Sequence, residues 1–339
     1  MKAGLIGLPG SGRDTVFRAL TGLETLPGLN EQRQGEALVE DPRLDWLSSV
    51  FNPKKHTPAR VEFFLSRPQG QNPTESLKLS LEKVRDTDVL LTVLRNFDFP
   101  GLDSPDPAGE AASIESELLV TDYVTVEKRL ERVSEERKKG KKGDPEEQEL
   151  LELAKSMLEA NRPLREERRI ASAPQLRGFG FLSAKPSLLI VNCPDDGDDS
   201  SRIGSQAPQM ALRGSLESEI SRLEPEEARE FQADYGLAEP GRARVVKTVY
   251  SMMDLISFFT VGDDECKAWT VSRGEDALSA AGKIHSDIRK GFIRAEVVAY
   301  DDFRASGSFS EAKKKGLFRL EGKTYVVADG DIVHFRFNV

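Results

Sequence analysis

The sequence predicts an α/β fold: a mostly parallel sheet with helices between its strands, interrupted by a helical hairpin and followed by a small β-rich module. Three observations carry this expectation. Short apolar runs from Lys2, Arg60, Val89 and Ser187 onward are rich in Val, Leu and Ile and are bounded by polar or Pro positions, as strands buried on both faces are. The stretch 112–169 is dense in Glu, Lys and Arg, with apolar residues at helical spacing. After Asp254, short alternating runs are separated by turn dipeptides such as Asp329-Gly330, which is how half-buried strands read.

The elements follow in order. Lys2-Ala-Gly-Leu-Ile-Gly runs into a Gly/Pro-rich turn and then into Thr15-Val-Phe-Arg-Ala-Leu, whose Val16, Phe17 and Leu20 share one helical face, giving strand, glycine turn, helix. Arg60–Leu65, Val89–Leu94 and Ser187–Asn192 supply the further strands. Between 112 and 169 apolar positions recur at Ile114, Leu118, Val126, Leu130 and Val133, then at Leu150, Leu153, Met157, Leu158 and Leu164. Lys138-Lys-Gly-Lys-Lys-Gly-Asp-Pro breaks this run, because two glycines and a proline do not sit inside one helix. An antiparallel hairpin with a basic, solvated tip follows; the tip could also meet RNA or an acidic partner. Punctuation from Tyr235-Gly236 to Pro240-Gly241 marks a linker, and Lys323–Val327 and Ile332–Phe337 read as strands. The expected domains are 1–111 with 170–254, the inserted hairpin 112–169, and 255–339.

Composition limits the function classes. The 339 residues hold 48 Lys plus Arg against 57 Asp plus Glu, a net charge of −9, with 38% apolar and 31% charged residues. Cys193 and Cys266 lie apart, without a CxxC or Cys/His cluster, so neither a disulfide framework nor a zinc module is indicated. His56, His285 and His334 are scattered and make no metal motif. The apolar run Leu188–Val191 is far shorter than a membrane span; a cytoplasmic protein with no membrane partner is expected. From Leu255 to Val339 acidic and basic residues balance at 13 each, so this part can meet a polyanion through a local basic patch.

The chemistry concentrates in Gly7-Leu8-Pro9-Gly10-Ser11-Gly12-Arg13-Asp14-Thr15. Its glycines have the GxxxxGK[ST] spacing of a loop that cradles phosphates between a strand and a helix. In that loop a Lys reaches the β and γ phosphates and a hydroxyl holds magnesium. Here Arg13 stands at the Lys position and Asp14 at the hydroxyl position. Arg keeps the charge but is a planar fork rather than a compact donor. A carboxylate ~4 Å from a phosphate oxygen costs about 4 kcal/mol at an effective dielectric near 20, unless a metal bridges the two. Two readings stand: Asp14 is a first-turn acid using the positive helix end, paired to Arg13, or the loop retains nucleotide binding. Thr15 is the nearest hydroxyl.

The residues resemble the YchF/Obg-like ATPase family of P-loop proteins over nearly the full chain. The resemblance rests on Gly7-Leu-Pro, Asp41-Pro-Arg-Leu-Asp, Pro58-Ala-Arg-Val-Glu-Phe, Lys185-Pro-Ser-Leu-Leu-Ile-Val-Asn, Phe259-Thr-Val-Gly, Lys267-Ala-Trp-Thr, Ala280-Ala-Gly-Lys-Ile-His-Ser-Asp, Lys290-Gly-Phe-Ile-Arg-Ala-Glu and the ending from Leu320 to Val339. It implies a Ras-like P-loop domain, an inserted antiparallel coiled-coil hairpin and a C-terminal β-grasp (TGS) domain. It also implies ATP or GTP as ligand, with binding expected to be weak or absent in the changed loop, and Mg2+ only alongside nucleotide.

The family's loop reads GLPNVGKST, its DxxG segment organises magnesium and water, and its NxxE motif reads the base. Here Asn192-Cys-Pro-Asp195 stands for NxxE, one methylene shorter at the acid. The DxxG residues fall on Leu65 and Pro68 without a gap, and Arg67 replaces the Asp if Gly70 is the glycine. The effector stretch is shortened to Asn30-Glu-Gln-Arg-Gln-Gly and lacks the metal-sensing Thr. With three magnesium-linked positions changed together, little or no hydrolysis is expected.

The resemblance further implies ribosome or RNA contact through the hairpin and the TGS part. Lys267, Arg273, Lys283, His285, Arg289, Lys290 and Arg294 are the candidate contacts, against the alternative of an ordinary mixed-charge surface, since Asp263, Asp264, Asp287 and Glu296 lie nearby. A protein partner is a further expectation; sequence-specific DNA binding is not. Two other readings stay open: an active ATPase or GTPase with a metal site rebuilt on Asp14 and Thr15, and a nucleotide-independent interaction clamp.

Overall fold

The computed structural model describes residues 1–23, 32–67, 70–140, 143–197, 203–205 and 207–338. The first part of the chain runs β1 (Lys2–Ile6), α1 (Arg13–Thr21), β2 (Gln32–Leu38), α2 (Pro42–Phe51), β3 (Lys55–Thr57), β4 (Arg60–Ser66), α3 (Pro73–Lys83) and β5 (Val89–Arg95). Then come α4 (Pro107–Lys138), α5 (Pro145–Glu159), α6 (Arg168–Ala171), β6 (Ser187–Asn192), β7 (Gln209–Leu212), α7 (Gly214–Ile220), α8 (Pro225–Asp234) and α9 (Gly241–Met252). The last part holds β8 (Leu255–Thr260), β9 (Glu265–Ser272), α10 (Ala277–Ile284), α11 (Ser286–Lys290), β10 (Phe292–Ala299), α12 (Tyr300–Ser306), α13 (Phe309–Lys314), β11 (Arg319–Glu321) and β12 (Asp331–Phe337). Among the described residues no helix is long and apolar enough to cross a bilayer.

Contacts divide the chain into two compact units, Met1–Ala37 with Glu62–Val245, and Leu38–Val61 with Val246–Val339. The first contains a sheet of order β2-β4-β1-β5-β6-β7. β1 pairs parallel with β4 and β5, β5 with β6, and β6 with β7, so the four apolar runs are the mostly parallel sheet the sequence predicts. All of β5 and β6 is buried, which is why they read as unbroken apolar runs and not as alternation.

The hairpin begins earlier than 112. Asp106 caps α4 by accepting from the Gly109 N–H at 2.9 Å, with Pro107 as the first helical residue, where its missing N–H costs nothing. Asp144 and Pro145 start α5 in the same way. Lys141 and Lys142 of the basic tip lie outside the described residues. The charged stretch also does two jobs. Ile114 and Leu118 join the sheet core with Ile6, Leu90 and Leu94, whereas Leu119 and Val126 pack with Leu150, Leu151, Ala154 and Leu158 of α5. α5 ends at Glu159, and the chain returns to β6 through short turns in place of a continued helix. The return is fastened by Asp122. Its carboxylate, fully buried, accepts from the Leu182 N–H at 2.9 Å and from the Ser183 N–H and Oγ at 2.7 Å; burial nonetheless pushes its pKa up.

The second unit has a mixed sheet of order β11-β10-β12-β8-β9-β3. β8 is antiparallel to β9 and parallel to β12, β12 is antiparallel to β10, and β10 to β11. α10 contributes Ala277, Ala280 and Ala281 to a core with Phe258, Val271 and Phe335. A second core joins Leu44, Leu47 and Ala59 to Phe259, Cys266, Val298, Phe303 and Ile332. Residues 38–61, which the sequence reading places in the first domain, thus group with the C-terminal module: α2 supplies apolar residues to its second core, and β3 extends its sheet parallel to β9. Local pattern does not reveal this, because the partners are some 200 residues away in sequence. Lys323–Val327 is not a strand; it makes a single bridge, Asp276 to Val326. The Tyr235–Gly241 punctuation is the turn between α8 and α9.

Arg43 ties α2 into this unit. Its guanidinium donates to both Asp41 oxygens at 3.0 and 2.8 Å and to Asp329 Oδ2 at 2.8 Å. Burial alone would raise the Asp329 carboxyl, but Arg43 and the Ser257 N–H hold it below its ordinary value.

Two outcomes are expected. Asp122→Ala, which strands three buried donors, should lower stability in urea unfolding by about 3 kcal/mol. Arg43→Met should cost about 1 kcal/mol at neutral pH, since the pair is partly exposed. Because the Asp329 pKa is depressed, that contribution is present above the ordinary carboxylate range and is lost as pH falls through the lowered folded value; the gap between wild type and Arg43→Met should begin to close in acid melts below about pH 4 and vanish only at lower pH.

Candidate phosphate-binding site

The loop leaves β1 at Gly7 and enters α1 through Gly12, the N-cap of that helix. Gly10 and Gly12 have φ of 86° and 83°, a region side chains avoid. A Cβ on Gly12 would also lie 2.2 Å from Asn192 Nδ2. Asn192 ends β6 and is buried; its Nδ2 donates to the Ser11 carbonyl and its Oδ1 accepts from the Gly214 N–H, both at 3.1 Å. Both halves of this amide are therefore engaged in holding the loop against the start of α7. Asp195 is exposed, and its Oδ1 accepts from the Leu216 N–H at 3.0 Å. Leu8 packs on the sheet core, Pro9 is exposed, and Leu102 lies over Gly10.

The side chains at the start of α1 form their own network. Arg13 Nη1 donates to Ser80 Oγ of α3 at 3.2 Å; burial lowers its pKa, with Asp14 opposing and Arg67 adding to the effect. The partner of Asp14 is not Arg13: Arg67 Nε donates to Asp14 Oδ1 in a short ion pair. Thr15 Oγ1 accepts from Arg18 Nη2 at 3.2 Å. Ser11 is 1% exposed, and its Oγ has no hydrogen-bond partner among the described residues. Of the DxxG alignments, Gly70 with Arg67 places its residue at the loop; Pro68 lies outside the described residues, as do Asn30 and Glu31 of the effector stretch.

A magnesium ion takes oxygen ligands in near-octahedral array. The charged groups beside the Asp14 carboxylate are two guanidiniums, Arg67 and Arg13, so the carboxylate is already neutralised and a cation there would meet two like charges. The residues present do not fit the ion.

Of the candidate RNA contacts, Lys283, His285, Arg289, Lys290 and Arg294 follow one another along α10, α11 and the start of β10. Lys267 and Arg273 lie elsewhere: the Lys267 ammonium sits 3.9 Å from the Trp269 ring centroid, and Arg273 Nε pairs with Asp254 at 2.9 Å. His285 Nδ1 caps α11 by accepting from the Asp287 N–H at 3.2 Å. Arg95 was missed by sequence reasoning. It is 6% exposed at the end of β5 and donates to the carbonyls of Phe97 and Asp103 at 3.1 and 2.7 Å, shaping the segment that reaches the loop; a charged residue closing a wholly apolar strand is the signal that could have revealed it.

A family model for the C-terminal region of YchF GTPases, described as a protein of unknown function (DUF933), matches residues 255–338. The ribosome-binding ATPase YchF of Haemophilus ducreyi is 36% identical, with 100% of this chain and 99% of that protein covered. The Bacillus subtilis protein of the same name is 36% identical over 100% of both. Obg-like ATPase 1 of Oryza sativa is 32% identical over 100% of this chain and 92% of its own length. The structure of the Schizosaccharomyces pombe YchF GTPase superposes with a TM-score of 0.83 at 27% identity, covering 99% of this chain and 97% of that one.

Asn192→Ala leaves the Ser11 carbonyl and the Gly214 N–H without their buried partner, so urea unfolding should show a loss of about 2 kcal/mol. Asp195→Ala, at an exposed site, should cost under about 1 kcal/mol in the same measurement.

Proposed function

Because this chain belongs to the YchF/Obg-like ATPase family, we propose that it is a cytoplasmic, ribosome-associated protein that keeps the family's nucleotide loop as a weak ATP or GTP site and has lost hydrolysis. The observation that carries the reading is the Asp14–Arg67 ion pair: Asp14 stands where the family pattern places a metal-binding hydroxyl, and Arg67 stands at the DxxG carboxylate when Gly70 is taken as its glycine. Phosphoryl transfer depends on positioning and on neutralising charge on the transferring group, and the metal supplies most of that neutralisation. A carboxylate held by a guanidinium does neither for an attacking water.

In this reading the loop Gly7–Thr15 faces the phosphates, and Asn192 and Asp195 flank the base. The division into a nucleotide domain (1–111 and 170–254), a hairpin (112–169) and a TGS module (255–339) is retained as a functional one, with residues 38–61 lending their packing to the last. Ribosome association, which the relatives' names record of them, is assigned to the basic run Lys283–Arg294, with Lys267 and Arg273 as outlying contributors, and to the hairpin. The alternative of a metal site rebuilt on Asp14 and Thr15 loses support, since Arg67 and Arg18 hold those two side chains.

The test is twofold. ATP and GTP turnover with magnesium should stay at the buffer background, and measurable turnover would overturn the loss of hydrolysis. Co-sedimentation with ribosomes should fall steeply with added salt, as phosphate contacts require; a protein that stays in the supernatant at low salt would defeat the ribosomal reading and favour a nucleotide-independent clamp on another partner.

A further inference from the structure

We propose that the Arg67 guanidinium has taken the place of the divalent cation, so that the loop binds a nucleoside polyphosphate without metal. The inference rests on the reading above that the loop still takes nucleotide. Its basis is a pair of complementary changes. Asp14 puts a negative charge where the family pattern has a neutral hydroxyl, and Arg67, at the DxxG carboxylate position when Gly70 is its glycine, puts a positive charge beside it; either charge alone would be left uncompensated at the start of α1. Together they meet as an ion pair, so each makes the other tolerable.

The geometry leaves Arg67 able to do more than neutralise Asp14. Its side chain is 19% exposed and that of Asp14 41%, and the contact uses Nε. The two Nη groups have no hydrogen-bond partner among the described residues. A guanidinium held by one edge presents the other, and that planar edge matches two phosphate oxygens. Arg13, Asp14 and Arg67 sum to one positive charge, to which the N-terminus of α1, nine residues long, adds its partial charge. The buried Ser11 Oγ, without a partner and within the turn of the loop, is an independent polar atom whose hydrogen bond a phosphate oxygen could complete. A divalent cation placed here would face two guanidiniums, which repel it.

The experiment titrates the nucleotide-stripped full chain with mant-ATP and mant-GTP by fluorescence, once with excess magnesium and once with EDTA. The expected result is saturable binding of at least one probe with dissociation constants equal within about two-fold in the two buffers. Arg67→Ala should weaken binding at least ten-fold in both, Arg67→Lys should restore part of the loss, and Asp14→Asn, which frees the guanidinium, should tighten binding in EDTA. The double variant Asp14→Ser with Arg67→Asp, which restores the family's charge pattern, should gain at least ten-fold from magnesium. Wild-type binding that tightens ten-fold with magnesium, or Arg67→Ala binding unchanged while circular dichroism shows the fold intact, would overturn the inference and leave the nucleotide reading standing. No saturable signal for wild type in either buffer would overturn both.

Discussion

Asn192 sits where the last buried residue of a parallel strand meets a glycine loop, and its amide has two neighbours and two hydrogen-bonding halves. By donating to the Ser11 carbonyl and accepting from the Gly214 N–H, it fixes the distance between β1's loop and the start of α7. Gly12 must then be glycine twice over, once for its φ of 83° and once because any Cβ would strike the amide. The phosphate loop is held in shape by these contacts whether or not anything binds it. That separation lets the loop's backbone stand independently of the side chains at the start of α1.

The changes have an internal logic of charge. A buried or half-buried ion must find a partner or shift its protonation, and at the start of α1 the carboxylate of Asp14 finds Arg67 while Arg13 turns to Ser80. The result is a site with a net positive charge and no oxygen-rich pocket. In the proposed function such a site attracts phosphate by charge and lacks the ligand geometry that positions an attacking water.

The second unit illustrates another constraint. A mixed sheet exposes two faces, and a small module must cover both to bury enough apolar surface. α10 covers one; α12, α13 and the distant α2 cover the other, with Phe51 stacked on Phe303 at 5.6 Å. Arg43 then spends its fork on Asp41 and Asp329, turning an apolar docking into an oriented one. The chain therefore cannot be cut between Ala37 and Val61 and the rest without removing part of the C-terminal core.

Much of the fold was legible in the sequence, because strand burial, helical spacing and glycine turns are local properties: the runs at Lys2, Arg60, Val89 and Ser187, the charged hairpin and the last strand follow from spacing and residue type alone. The loop's glycines, Arg13 and Asp14 were legible for the same reason, and so was the absence of a DxxG carboxylate. What the sequence left open was who partners whom. It offered Arg13 for Asp14, an alternating run at Lys323–Val327 as a strand, and residues 38–61 as part of the first domain. Tertiary structure chose Arg67, a single bridge, and the C-terminal core, because ion pairing and face burial depend on distances through space that chain order does not encode.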